Sequence, residues 1–269
     1  MKRMETGLFR LFVLAGVFTL SVPSASVFGQ FALETETARL RPQGEFEIGM
    51  ALEFQTSKEG QEFDLPMAIE YGMTDRLEFL LEPVPFVAIL PNHGRKARGL
   101  GDVEMTLTYL VVDETDWFPA LAVAGELKTP TATNRLIGTG KTDGSVLLIA
   151  SKQFGDLDLH FNFAYTVIGQ PPDVSVKNTY ELALAGVYTL NDEFDLLAEV
   201  LYTTSAQRSG GGGEGDTGAS ALTAEVSGVE LVGAVGVQYH LTCCCDVFAT
   251  ASYDNNSAWL LRFGWTLKF

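Results

Sequence analysis

A two-residue hydrophobic alternation recurs along nearly the whole chain and constrains its fold more than any other feature. The last segment shows it most clearly. Trp259, Leu261, Phe263, Trp265, Leu267 and Phe269 share one parity, while Ala258, Leu260, Arg262, Gly264, Thr266 and Lys268 share the other. Alternate side chains of an extended strand point to opposite faces, so one face here is wholly apolar and the other mostly small or charged. A soluble sheet would bury the apolar face under a second layer. A transmembrane barrel would turn it to lipid and keep the mixed face in its lumen.

Twelve such segments divide the chain after residue 44. Strand 1 sets Phe46, Ile48, Met50, Leu52 and Phe54 against Glu45, Glu47, Gly49, Ala51 and Glu53, and strand 7 sets Leu157, Leu159, Phe161 and Phe163 against Asp156, Asp158, His160 and Asn162. The third strand is expected at 76–86. The sixth, at 145–154, is ambiguous because Lys152 shares parity with Phe154. Eleven residues rising ~3.3 Å each and tilted ~40° climb ~27 Å, close to the ~25 Å apolar band of an outer-membrane barrel. The even count suits a single-chain bacterial barrel.

Connection lengths sharpen this reading. Short links follow the even strands, at 73–75, 112–117, 155, 191–193 and 242–245, whereas long links follow most odd strands, at 87–101, 129–144, 168–178 and 204–228. The odd links at 56–61 and 254–257 are short exceptions. Short periplasmic turns opposite long external loops are the asymmetry of an outer-membrane barrel. The even strands also end in Tyr71, Tyr109, Phe154, Tyr188, Tyr239 and Phe269, a girdle of rings at one rim. The expected fold is all-β: a transmembrane, antiparallel, up-and-down β-barrel of about twelve strands.

The amino-terminal region reads as an export signal over residues 1–29. Lys2, Arg3 and Arg10 precede an apolar core at 11–22, followed by small residues suited to cleavage after Ser26 or Gly29. That core is too short for a spanning helix, which needs ~20 residues. Residues 30–43 are then expected as a periplasmic segment and 44–269 as the barrel. The final Phe269 resembles the carboxy-terminal signature that outer-membrane assembly machinery reads. Mean hydropathy of +0.14 lies between exported soluble proteins and helical membrane proteins. Loss of the signal takes the net charge from −16 to −18, which argues against nucleic acid as a partner.

The inward parity is dense in acids. Glu47, Glu53, Asp64, Glu70, Glu78, Glu82, Glu104, Glu126, Glu181, Glu199 and Glu230 are all expected in the lumen, with His160. Inward bases are Arg76, Lys128, Arg262 and Lys268. Such a wall is either simply hydrated, with some acids paired and some protonated, or a filter that repels anions and tolerates cations. Arg95, Lys96 and Arg98 fall in a stretch without acids. They are either solvated loop charge or a contact for lipopolysaccharide phosphates.

No enzymatic or cofactor motif stands up. The run from Gly138 to Thr142, Gly-Thr-Gly-Lys-Thr, lacks the further Gly of a phosphate loop, since Arg135 occupies that place. His160 has only apolar outward neighbours, Leu159 and Phe161, and no Ser beside it on a lipid-facing surface. Cys243, Cys244 and Cys245 are consecutive, a spacing that suits neither a metal site nor an unstrained disulfide, and they read as a turn without chemistry. No catalytic, cofactor-binding or metal-binding residue is assigned.

Pro66, Pro83 and Pro85 fall in neighbouring strands, and each removes a ladder donor. A three-residue turn at 73–75 would pair Gly72 with Arg76 and put Pro66 opposite Glu82. That leaves either a bulge whose orphan carbonyl is wetted from the lumen, or a weak lateral seam through which an apolar solute leaves the barrel sideways.

Glu36-Thr-Ala-Arg39, residues 66–86, Gly99-Leu-Gly-Asp-Val103, Lys128-Thr-Pro-Thr131 and residues 138–143 resemble the MetA-pathway-of-phenol-degradation family. Pro83, Pro85, Gly101, Asp102, Lys128, Pro130 and Lys141 stand at matching positions. The resemblance implies an outer-membrane barrel transporter for small compounds, aromatic ones among them. The expected function is therefore an outer-membrane channel through which small or hydrophobic solutes diffuse passively. Membrane lipid, the assembly machinery and the solute itself are the expected partners. A surface or structural barrel with a plugged lumen is the alternative, and a lipid-modifying enzyme comes third.

Overall fold

The computed structural model describes residues 30–171, 175–206 and 229–269. The expected signal segment at 1–29 and the glycine run Gly210–Gly213 lie outside the described residues. The chain forms a closed antiparallel barrel of twelve strands. They are β1 (Phe46–Thr56), β2 (Gly60–Asp64 and Met67–Thr74), β3 (Leu77–Pro83 and Val87–Pro91), β4 (Ala97–Gly99 and Val103–Val112), β5 (Ala120–Thr129), β6 (Asp143–Phe154), β7 (Leu157–Val167), β8 (Thr179–Asn191), β9 (Phe194–Thr203), β10 (Glu230–Thr242), β11 (Cys245–Asp254) and β12 (Trp259–Lys268). Each strand pairs with the next, and β12 closes on β1 from Glu47↔Lys268 to Thr56↔Trp259. Phe46 and Phe269 then exchange backbone hydrogen bonds of 3.2 and 2.8 Å, so the terminal aromatic completes the seam.

Closure removes the sheet edges that an apolar strand would otherwise expose. It also decides which face is which. Outward residues are bare, with Val235 64%, Val146 60%, Leu184 53% and Phe263 53% exposed, and these apolar side chains girdle the barrel. An apolar surface far beyond the few hundred Å² found on soluble monomers is stable only against lipid. At one rim, Phe46 packs against Tyr71 and Phe194 against Tyr239 in tilted pairs, with ring centroids 4.6 and 4.7 Å apart.

β6 loses its ambiguity here. Ser151, Ile149 and Leu147 point inward and are buried, so Lys152 lies on the outward parity. It reaches back to Glu114 and the Thr115 carbonyl in the neighbouring turn, at 2.8 and 2.6 Å. Periodicity could not separate the faces because Leu147 and Ile149 are apolar on the inner face, where Ala38 packs, while Lys152 is charged on the outer one.

The β2–β4 region departs from the expected register. Gly72 pairs with Glu78, not Arg76, because the turn carries a bulge between Gly72 and Thr74. Arg76 sits in that turn, not in the lumen, and bonds Asp113 of the next turn. The β2–β3 ladder runs from Thr74↔Leu77 to Ile69↔Leu81, stops, and resumes at Asp64↔Val87. Leu65 N donates to Phe86 O at 3.0 Å, so three β2 residues, 66–68, face four β3 residues, 82–85. Pro66 is therefore not opposite Glu82. Its carbonyl instead accepts Ala51 N from β1 at 3.0 Å, while Val84 O accepts Gly101 N from β4 at 2.9 Å. Gly101 is needed there, since a Cβ would lie 2.8 Å from that of Val84. Above the interruption, residues 87–91 pair with β2 and residues 87–89 with 97–99, so the expected loop at 87–101 shortens to a tip at 92–96.

Candidate functional site: the lumen and its amino-terminal segment

Of residues 30–43, expected in the periplasm, the stretch 31–41 lies inside the barrel, and Pro42 and Gln43 emerge exposed at the rim. A short 3₁₀ turn at Gln30–Ala32 packs Phe31, Ala32 and Leu33 against inward Ala51, Ala68, Leu80, Ala185, Ala234 and Phe248. The Phe31 ring meets Phe248 edge-on, with centroids 6.1 Å apart. Small inward residues make this possible, because alanines and glycines on the inner faces leave room for a second layer of chain. Ala38 occupies a similar floor of Ala120, Ala122, Ala124, Leu147, Ile149 and Ala164.

From there the segment runs as an extended strap held by the wall. Glu199 accepts the Glu34 and Thr35 amides at 3.0 and 2.7 Å and the Thr35 hydroxyl at 2.5 Å. Asn162 clamps the Glu36 backbone both ways, accepting its N–H at 2.6 Å and donating to its carbonyl at 2.8 Å. The Ser151 hydroxyl accepts Ala38 N at 2.8 Å and meets His160 Nδ1 at 2.9 Å.

Two arginines then anchor the strap. Arg39 reaches Asp158 and Glu114, the latter at 2.7 Å. Arg41, 3% exposed, pairs with Glu47 at 2.6 Å and Glu70 at 2.8 Å, and its amide donates to Glu78 at 2.6 Å. Leaving a buried charge alone costs several kcal/mol, so the arginine and its three acids require one another. The strap leaves past Gly72, where a Cβ would sit 2.1 Å from Pro42 O and no side chain fits.

Charges outside the spanning strands follow from this packing. Burial, reinforced by Glu82, Glu70, Glu78 and Glu126, holds the Glu36 carboxyl well above its ordinary value of 4.5. Burial also pushes Glu114 upward, but bonds from Lys152, the Gln153 amide and Arg39 prevail and hold it below 4.5.

Above the strap lies a cavity of about 800 Å³. Glu53, Asp64, Glu70, Glu82, Glu104, Glu126, Glu181, Glu199 and Glu230 line it, with Lys128, Arg262 and Pro66. Arg262 bridges Glu53, at 2.5 Å, and Glu34 of the strap. Lys128 pairs with Asp143, whose other oxygen accepts Gly169 N at 2.8 Å. Glu82 stands directly across the ladder from Glu104. Glu47, Glu78 and His160 are not part of the cavity; they are buried against the strap. Pro83 and Pro85 do not line it either.

Several residues that carry the family resemblance gather at the external mouth. Asp102 accepts Ala132 N at 2.9 Å, Thr131 Oγ1 donates to Gly101 O at 3.3 Å, and a Cβ on Gly138 would strike Asp102. Leu136 and Ile137 pack on Val84, Val87, Ile89 and Ala97, tying this loop to the β3–β4 extension.

Ser151, His160 and Asp158 form a serine–histidine–acid set, with His160 Nε2 3.7 Å from Asp158. Ser151 is fully buried and its oxygen already accepts the strap amide, so the set holds the strap instead of presenting a nucleophile. Among the described residues, no group of three or more His, Cys, Asp or Glu is arranged to hold a metal ion.

Sequence reasoning found the inward acids but missed the strap. The signal was the excess of inward carboxylates over inward bases, whose missing partners, Arg39 and Arg41, lie outside the strands.

No family model and no curated protein matches the chain. Solved structures do resemble it. A COG4313 outer membrane channel from Pseudomonas putida F1 superposes with a TM-score of 0.61 at 16% identity, over 86% of this chain and 98% of that one. The NanC porin gives 0.58 at 12% identity, over 82% and 100%. The KdgM porin in complex with disordered oligogalacturonate gives 0.54 at 12%, over 83% and 99%. At these identities the likeness defines a class of fold, the closed antiparallel β-barrel.

Proposed function

We propose that this protein is an outer-membrane channel for small molecules, admitting solute from outside into the acid-lined cavity and passing it inward when the strap yields. The observation that carries this reading is the division of one lumen into an acid-lined upper cavity and a lower half filled by residues 31–41. Passage is passive diffusion through the lumen. Carboxylates outnumber bases around the cavity, so ions that cross should be mainly cations. Reconstitution in a planar bilayer tests this: a reversal potential of cationic sign at neutral pH is expected, and anion selectivity would refute the acidic filter.

Small hydrophobic compounds, aromatics among them, fit the apolar floor of Phe31, Leu33 and Leu80. They also fit the resemblance to phenol-pathway barrels. The break between Ile69↔Leu81 and Asp64↔Val87 supports a side exit for them at Pro66, Pro83 and Pro85. Replacing Pro66 and Pro83 with Val should slow uptake of a hydrophobic aromatic and leave ion conductance intact. Equal effects on both would remove the side exit from the account.

Placement in the outer membrane, with Phe269 read by the assembly machinery, predicts heat-modifiable migration and lower folded yield when Phe269 is deleted. Arg95, Lys96 and Arg98, near the tip of the β3–β4 extension, suit contact with lipopolysaccharide phosphates. The strap also favours a second reading, a barrel closed for good by its own segment. That reading predicts no conductance under any condition that keeps the strap docked.

A further inference from the structure

We propose that Cys243 and Cys244 form a reversible redox pair at the periplasmic rim, closing to a disulfide between adjacent residues while Cys245 stays a free thiol. The two residues make the whole turn between β10 and β11, whose flanking pair is Thr242↔Cys245. Both are exposed, and their sulfurs stand 3.1 Å apart. Cys245 is bound into the sheet opposite Leu267 and is less accessible.

Adjacent Cα atoms across a trans peptide are ~3.8 Å apart, below the ~4.4 Å lower end for ordinary disulfides. A bond between them is therefore strained and readily reduced, the property of a labile pair rather than a structural staple. Closure proceeds by exchange. One thiolate attacks an incoming disulfide, and the second displaces the resulting mixed disulfide. The partner leaves as two thiols carrying the two electrons. The turn is not isolated, since Cys244 O accepts Lys268 N at 2.8 Å and the Lys268 ammonium holds Asp246 at 2.8 Å. Asp246 in turn bonds His240 Nδ1 at 2.8 Å, and Asp195 takes the other ring nitrogen at 2.9 Å. The redox state of the turn thus bears on the terminal strand and on a charged cluster in the lower wall.

The periplasmic placement rests on the outer-membrane reading, but the pair itself does not. The two are separable by experiment. Full-length protein purified in detergent is equilibrated with glutathione of graded oxidation, quenched in acid, alkylated and weighed intact. Three adducts are expected under reduction, falling to one under oxidation within the monomer. One equivalent of phenylarsine oxide should bind the reduced form and not the oxidised form. Cys243→Ser and Cys244→Ser should each retain two adducts throughout, whereas Cys245→Ser should fall from two to none. Three adducts at every poise, disulfide-linked dimers, or glutathione adducts in place of the internal bond would overturn the pair. Acid-trapping in cells then reads the compartment. An oxidised pair accords with periplasmic exposure, and a fully reduced pair in cells beside a working pair in vitro would count against the location alone.

Discussion

The two halves of the lumen are built from the same alternating strands and the same inward acids, yet they behave as different materials. In the lower half, Glu47, Glu70 and Glu78 converge on Arg41, and Asp158 and Glu114 on Arg39. In the upper half, Glu82 and Glu104 face each other across a ladder, with Lys128 and Arg262 as the cavity's bases. The difference comes from the strap. Where it lies, Arg39 and Arg41 fill the space between the carboxylates; above it, the carboxylates line a cavity of about 800 Å³. The same kind of carboxylate array is thus packed away or left lining a cavity according to what fills the space in front of it.

The comparison is broken most forcefully at Arg41. Arg41→Gln leaves three buried carboxylates facing one another, a loss of about 3 kcal/mol or more if the strap stays docked. The expected outcome is that the strap undocks instead, water enters and single-channel conductance rises several-fold. Unchanged conductance with unchanged thermal stability would show that Arg41 does not hold the strap.

Gly72→Val attacks the same docking without touching a charge. Its Cβ would fall 2.1 Å from Pro42 O, and that backbone must move. A loss of about 1–3 kcal/mol in docking is expected, as for overpacking generally, with protease cleavage within residues 30–42 as the readout. Equal protection in both proteins would mean that the exit path has slack.

Acid should sharpen the contrast before erasing it. Glu36 has a raised value, so its contribution to docking is present at low pH and is lost as pH rises above 4.5 through that value. Glu114 has a lowered value, so its hold on Arg39 is present above 4.5 and is lost as pH falls below. Channel openings should therefore become rarer from neutral pH down to about 4.5 and more frequent below it. A monotonic dependence would show that one of the two groups does not act on the strap.

The smallest effect is expected in the upper half. Glu82→Gln with Glu104→Gln replaces the two facing carboxyls without emptying space, so stability should hardly change while cation preference falls. A reversal potential identical to wild type would place the selective constriction elsewhere.

Most of the fold was legible because lipid on one side and water on the other impose a period of two on every spanning strand. Trp259 to Phe269 shows that period plainly, and the strand count and closure follow from it. Legibility failed where local chemistry gave way to contacts distant in sequence. Pro66 and Pro83 marked the interruption, but the bulge at Gly72 set its register, and Arg76 chose Asp113 over the lumen. On β6 the inward face is apolar at Leu147 and Ile149, and only the presence of Ala38 against them explains why. The basic mouth residues were legible as charge but not as the tip of a paired extension.

The sequence by itself determined the barrel, its outward apolar face and the acidity of its interior, because the membrane reads each strand independently. Only the tertiary structure decided what that acidity is for. Arg39 and Arg41 carry no periodic signal. Their partners, Asp158, Glu114, Glu47, Glu70 and Glu78, meet them only once the wall has closed around a strap that no local preference could have placed.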